Sequence, residues 1–180
     1  MIRLFIGLEL PEMTRERLAL LCAGLPGAKW VKPENLHLTL RFIGEVENGL
    51  AEDIDEALAR VRAPRFDLAL DSVGFFGKPA AARILWAGVA KSEPLSHLQM
   101  KVETAVQRAG LPAEERKFSP HVTLARLKGA PLQRLRRYVG ENADFRAGPI
   151  AVERFTLFSS FLSSSGAIYT PEAYYDLDPA

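Results

Sequence analysis

The sequence predicts an α+β fold, a bilobal arrangement of two mostly antiparallel sheets flanked by helices and related by a rough two-fold about a central cleft. Three observations carry this. Strand-like and helix-like segments mix along the 180 residues without the strict strand–helix rhythm of a doubly wound parallel sheet. The second half of the chain repeats the grammar of the first, a helix and then a polar loop delivering a strand. Those two delivered strands open on nearly the same tetrapeptide, His37-Leu38-Thr39-Leu40 and His121-Val122-Thr123-Leu124.

Ile2–Leu10 alternates well enough for a strand, and Pro11 suits the first turn of a helix running to about Cys22, with Gly24 as its stop. Residues 30–35, Trp-Val-Lys-Pro-Glu-Asn, form a loop that delivers the first motif strand, Leu36 to Ile43, and Gly44 ends it. Leu50, Ile54, Leu58 and Val61 recur at helical spacing, which predicts a helix from about Asn48 to Arg62 ahead of Pro64. Phe66–Val73 and Ala82–Ala90 read as two strands joined through residues 74–79, Gly-Phe-Phe-Gly-Lys-Pro. Ser92 is placed to cap a helix carrying Leu95, Leu98, Val102 and Val106, closed by Gly110 and Pro112. The polar loop Glu114–Pro120 delivers the second motif strand. A short helix, Pro131 to Val139, follows, then strands near Ile150–Ser159 and Ala167–Leu177 with residues 163–166 between them. No composition shift marks a linker, so 1–180 reads as a single domain of two intertwined lobes.

Hydrophobic residues make up 48% and charged residues 25%, the mixture of an ordinary globular protein. The net charge of +1 lacks the basic excess expected of a protein held on duplex nucleic acid. A small phosphorylated ligand, or one end of an RNA, is compatible with it. A lone cysteine, Cys22, excludes an internal disulfide and, in its apolar helical stretch, reads as a buried, inert thiol. The opening decapeptide carries Arg3 and Glu9 and reads as the start of a strand rather than as a secretory signal. The longest nearly apolar stretch, Leu18–Ala28, is broken by Gly24 and Pro26 and falls short of the ~20 residues a bilayer span needs. A cytoplasmic location without membrane contact is expected.

In a strand, side chains two apart share a face. His37 and Thr39 are therefore expected to point one way, with Leu36, Leu38, Leu40 and Phe42 pointing into a core. His121 and Thr123 share a face likewise, opposite Val122 and Leu124. With three His and six Thr in the chain, shuffling yields roughly 0.02 such His-apolar-Thr-apolar matches, so two are not expected by accident. A neutral imidazole can take the proton from an attacking water while an imidazolium gives one to a departing oxygen, the demand of an in-line displacement at phosphorus. Histidine titrates near enough to neutrality to hold one ring in each state. Threonine hydroxyls can donate to non-bridging oxygens, and a guanidinium can offset their charge. Zinc needs three or four ligands, and only a distant His97 and the lone cysteine could supplement the pair, so no metal is expected. There is no Walker-type loop and no Gly-x-Ser-x-Gly elbow. His97 and the run Arg134, Arg136 and Arg137 read as solvated helix faces. Trp30 and Trp86 read as packing residues that could also border the cleft. Two arginines compete for the phosphate. Arg126, five after His121, faces away from it in an unbroken strand and helps only if the strand bulges, whereas Arg41, four after His37, has the right parity.

The tandem motif resembles the two-histidine phosphoesterase superfamily, and its surroundings resemble the RNA 2′,3′-cyclic phosphodiesterases, historically called 2′-5′ RNA ligases. The likeness covers residues 3–11 (Arg-Leu-Phe-Ile-Gly-Leu-Glu-Leu-Pro) and 30–44 around the first motif. It continues through 85–89 (Leu-Trp-Ala-Gly-Val), 118–126 (Phe-Ser-Pro-His-Val-Thr-Leu-Ala-Arg) and the Leu157–Tyr169 region. The resemblance implies metal-independent hydrolysis of an RNA terminal 2′,3′-cyclic phosphate to a 2′-phosphomonoester. It makes His37 the proton donor to the departing 3′ oxygen, His121 the proton acceptor from water, and Thr39, Thr123 and Arg126 the phosphate-binding residues, favouring Arg126 over Arg41. No cofactor is implied. The expected partners are RNA with 2′,3′-cyclic phosphate ends or small 2′,3′-cyclic nucleotides, acted on by a monomer. Reversible 2′-5′ ligation of tRNA halves and non-catalytic binding of RNA ends are the alternative functions.

Overall fold

In the computed structural model, which describes residues 1–179, strands and helices follow in a mixed order. They run β1 (Ile2–Glu9), α1 (Glu12–Ala19), β2 (Ala28–Trp30), β3 (His37–Val46), α2 (Asn48–Ala59), β4 (Phe66–Phe76) and β5 (Ile84–Val89). Then come α3 (Glu93–Arg108), β6 (His121–Leu127), α4 (Leu132–Glu141), β7 (Arg146–Val152), β8 (Arg154–Ser163) and β9 (Gly166–Asp176). The class is α+β, and the named strands pair antiparallel.

The two expected sheets are joined into one. Among the described residues the strand order is β7-β4-β5-β6-β3-β1-β8-β9, with β2 also on β6. A single pair, Leu38 with Val122, links β3 to β6. Beyond it β2 takes the same edge of β6, pairing Trp30 with Ala125, so the two motif strands meet only where their motifs begin. Each motif strand thus lies at the middle of the sheet, with its own half spreading outward.

The strand expected over Ile150–Ser159 is two strands, because the chain changes halves at Glu153. β7 pairs with β4, whereas β8 pairs with β1 on the far side. Gly44 does not end β3. It lies inside the strand at φ +86°, where Ile43 bulges out of the β1 ladder, a conformation glycine adopts without strain. β2 escaped the sequence pattern because three residues carry no periodicity. α2 stops at Ala59, three residues before the expected end.

Ser92 caps α3 as expected, its hydroxyl accepting the Leu95 N–H at 3.2 Å, a cap that contributes about 1 kcal/mol. The apolar faces of the helices supply Leu18, Ile54, Leu58, Leu95, Leu98, Val102 and Leu135 to one core together with Leu38, Leu40, Val122 and Leu124. All four helices therefore cover one face of the sheet, leaving the other open. Arg41 Nε and Glu103 Oε2, 2.6 Å apart, pin α3 to β3 at the edge of that core. No helix among the described residues is long and apolar enough to cross a membrane.

Candidate active site

Antiparallel register about the Leu38–Val122 pair sets His37 opposite Thr123 and Thr39 opposite His121. Opposed residues in such a pair hold their Cβ atoms roughly 4.5–5.5 Å apart. Leu38 and Val122 are fully buried beneath the helices. Their four neighbours, each half-buried, therefore rise on the open face as a square of two imidazoles and two hydroxyls.

The two rings are held alike. His37 Nδ1 lies 2.7 Å from the carbonyl of Asn35, and His121 Nδ1 lies 2.7 Å from the carbonyl of Ser119. A carbonyl only accepts, so Nδ1 carries the proton in both rings, and in a neutral ring Nε2 is left bare. Each loop entering a motif strand thus fixes the tautomer through the carbonyl two residues upstream. Asn35 is itself anchored, its side-chain amide donating to the Ala167 carbonyl at 2.9 Å. Thr39 Oγ1 stands 2.8 Å from His37 Nε2 and donates to it when the ring is neutral.

Aromatic rings desolvate both histidines. His37 packs on Phe5, with ring centroids 4.8 Å apart, and meets Tyr169 edge-on at 5.3 Å. His121 meets Phe76 edge-on at 4.8 Å. Burial pushes the His37 imidazole below its ordinary value against the Asn35 carbonyl, which favours the charged ring, and the charge of His121 pushes it lower still. Burial also lowers His121, opposed by the Ser119 carbonyl. That the charge of His121 reaches His37 follows from their shared face.

Parity beyond the motifs depends on two matched bulges. On β3 the register against β1 skips Leu40, pairing Thr39 with Gly7 and Arg41 with Ile6. On β6 the register against β5 skips Leu124, pairing Thr123 with Trp86 and Ala125 with Leu85. Both strands consequently show the same run of burial over six residues, half-buried, buried, half-buried, buried, buried, exposed. Arg126 is carried round to the histidine face by this extra residue. Arg41 is carried away from it, into contact with Glu103 and the carbonyls of Phe42 and Pro112. The parity argument for Arg41 is thereby overturned.

The same bulge overturns the expectation that Phe42 enters the core. Phe42 is 59% exposed and occupies on β3 the place Arg126 holds on β6. The signal was present in the sequence, since Phe42 and Arg126 each lie five residues after a motif histidine. The tryptophans separate. Trp30 packs behind the sheet on Tyr138 of α4, centroids 6.1 Å apart. Trp86, paired with Thr123, lies on the open face over Gly74, where a Cβ would overlap its ring. Its Nε1 is buried and has no acceptor among the described residues. A groove of about 660 Å³ between α2 and α3, which His97 lines, lies among the helices and contains neither motif histidine.

Comparison with known proteins places this arrangement. Residues 8–86 and 88–169 match the family described as LigT like phosphoesterase. An RNA 2′,3′-cyclic phosphodiesterase of Aeropyrum pernix is 38% identical over 160 residues, covering 88% of this chain and 90% of its own. One of Thermotoga maritima is 34% identical over 173 residues, covering 93% and 91%. The crystal structure of Escherichia coli LigT complexed with 3′-AMP superposes with a TM-score of 0.79 at 28% identity, covering 98% of both chains.

Proposed function

The chain belongs to the LigT-like phosphoesterase family, and from that membership and the geometry of its open face we propose that it hydrolyses RNA terminal 2′,3′-cyclic phosphates to 2′-phosphomonoesters without metal or cofactor. The relatives from Aeropyrum and Thermotoga carry the name of that activity. The observation that carries the mechanism is the pairing of Leu38 with Val122, which puts two Nδ1-anchored imidazoles at diagonal corners of the square, each opposite the other strand's threonine.

In this scheme the neutral Nε2 of His121 accepts a proton from water, whose oxygen bonds to phosphorus. The P–O3′ bond breaks, and the imidazolium of His37 gives its Nε2 proton to the departing 3′ oxygen. The phosphate stays on O2′. The pair ends with its protonation states exchanged, and solvent resets them. Thr39, Thr123 and Arg126 receive the charge that builds on the non-bridging oxygens. Electrostatic stabilisation and positioning suffice for such a transfer. The strand order, with a motif strand at the inner edge of each half, supports two lobes of one domain facing a common cleft.

Incubation with a 2′,3′-cyclic mononucleotide in excess chelator, followed by phosphorus NMR, tests this. The expected product is the 2′-phosphate. His37→Ala and His121→Ala should each lower kcat by about 10²–10⁴-fold, the usual share of one general acid or base. Turnover abolished by chelator and restored by zinc would falsify the scheme.

A further inference from the structure

At the end of the open face toward which β6 runs, Arg126 lies directly opposite Lys29 of β2. Trp30, the next residue of β2, packs behind the sheet on α4, so alternation turns Lys29 to the same side as Arg126. Lys128 follows two residues further along, where its N–H bonds the Gly27 carbonyl at 2.9 Å. All three are exposed, and among the described residues none of them takes part in an ion pair. Like charges directly opposite one another oppose strand pairing. In a chain carrying 23 basic and 22 acidic residues, cations left facing each other without an acid between them make a local positive field suited to an anion.

The reacting phosphate needs only one guanidinium, so the second cation is surplus to the chemistry. We infer that Lys29 binds a backbone phosphodiester of the RNA strand, upstream of the cyclic end, and so makes the site prefer an oligonucleotide to a mononucleotide. This rests on the cyclic-phosphodiesterase function proposed above. A 2′,3′-cyclic mononucleotide has no phosphate on its 5′ oxygen, whereas the last nucleotide of an RNA does. Lys29 stands on β2, on the side of β6 toward His37, beside the arginine that serves the reacting end. Lys128 continues the same row for a strand that runs further.

Steady-state hydrolysis of a dinucleotide ending in a 2′,3′-cyclic phosphate, compared with the matching cyclic mononucleotide, tests this with the wild type, Lys29→Ala and Lys29→Arg. Lys29→Ala should lower kcat/KM on the dinucleotide about tenfold, chiefly through KM, and flatten its logarithmic salt dependence by about 0.7. Turnover of the mononucleotide should stay within about twofold, the scale at which a lost charge-assisted contact is no longer read. Lys29→Arg should restore the dinucleotide preference. An equal loss on both substrates would assign Lys29 to the reacting phosphate and overturn the inference, as would no loss on either. Failure of the wild type to turn over either compound would instead defeat the function on which the inference depends.

Discussion

His37 and His121 are both held below the ordinary histidine value of 6.5, chiefly by burial. The sign of the pH dependence follows. The base acts deprotonated and is ready across the neutral range. The acid acts protonated, and its protonated fraction falls as pH rises through its lowered pKa. In the free protein kcat/KM should therefore be greatest on the acid side of neutrality and fall about tenfold from pH 7 to pH 8. A bound anionic phosphate favours the charged ring and raises both values, so the fall in kcat should come at higher pH than the fall in kcat/KM. A pH–rate series measured on both parameters checks this, and a kcat/KM that peaks above pH 8 would contradict it. The expectation that one ring is charged at neutral pH is thus met, in this scheme, by the substrate.

At the scale of elements, the matched bulges do what a straight strand cannot. Skipping Leu40 and Leu124 reverses the parity after each motif, bringing Phe42 and Arg126 to the open face and sending Arg41 behind it. Close approach of β1 underlies the first half. A Cβ at Gly7 would lie 2.8 Å from the Leu38 carbonyl oxygen and 3.5 Å from His37 Cδ2. The carbonyl is backbone and cannot yield without moving Leu38, and with it the adjoining His37, whose ring is hydrogen-bonded on both nitrogens. Gly7→Ala should cost about 1–3 kcal/mol of stability, as overpacking does, and lower kcat by displacing His37. Gly49→Ala is the control. Its Cβ meets nothing within 4 Å in the first turn of α2, and the change should leave kcat alone while stabilising by up to ~1 kcal/mol. Thermal unfolding and steady-state kinetics on the two variants separate these outcomes.

Across the whole molecule, one ion pair couples the helix layer to the first motif strand. Arg41 is 9% and Glu103 17% exposed. Burial alone would raise the Glu103 carboxyl. The Arg41 guanidinium, the Glu114 N–H and the Gln107 amide outweigh it and hold the group below the ordinary carboxylate range. Its contribution to stability is then present above the unfolded value near 4.5 and lost as pH falls through the folded one. Glu103→Ala leaves a guanidinium buried without its counter-charge, at a cost of about 3–5 kcal/mol. Urea unfolding should show that loss at pH 7 and a smaller difference from the wild type in strong acid. Because Arg41 faces away from the histidines, kcat in the absence of denaturant should be unchanged.

The α+β class, the capped helix after Ser92, the two motif strands and the shared face of each His-Thr pair were legible in the sequence, because alternation and helical spacing are local properties written into successive residues, whereas the square the two pairs form needed the Leu38–Val122 contact. The family was legible too, since its motifs are contiguous words. The joining of two sheets through one pair, the change of halves at Glu153 and the positions of Arg126, Arg41 and Phe42 were decided by tertiary structure. An inserted residue in a strand has no composition of its own. It exists only as a mismatch with the neighbouring strand, so which arginine faces the histidines is settled when β6 meets β5 and β3 meets β1.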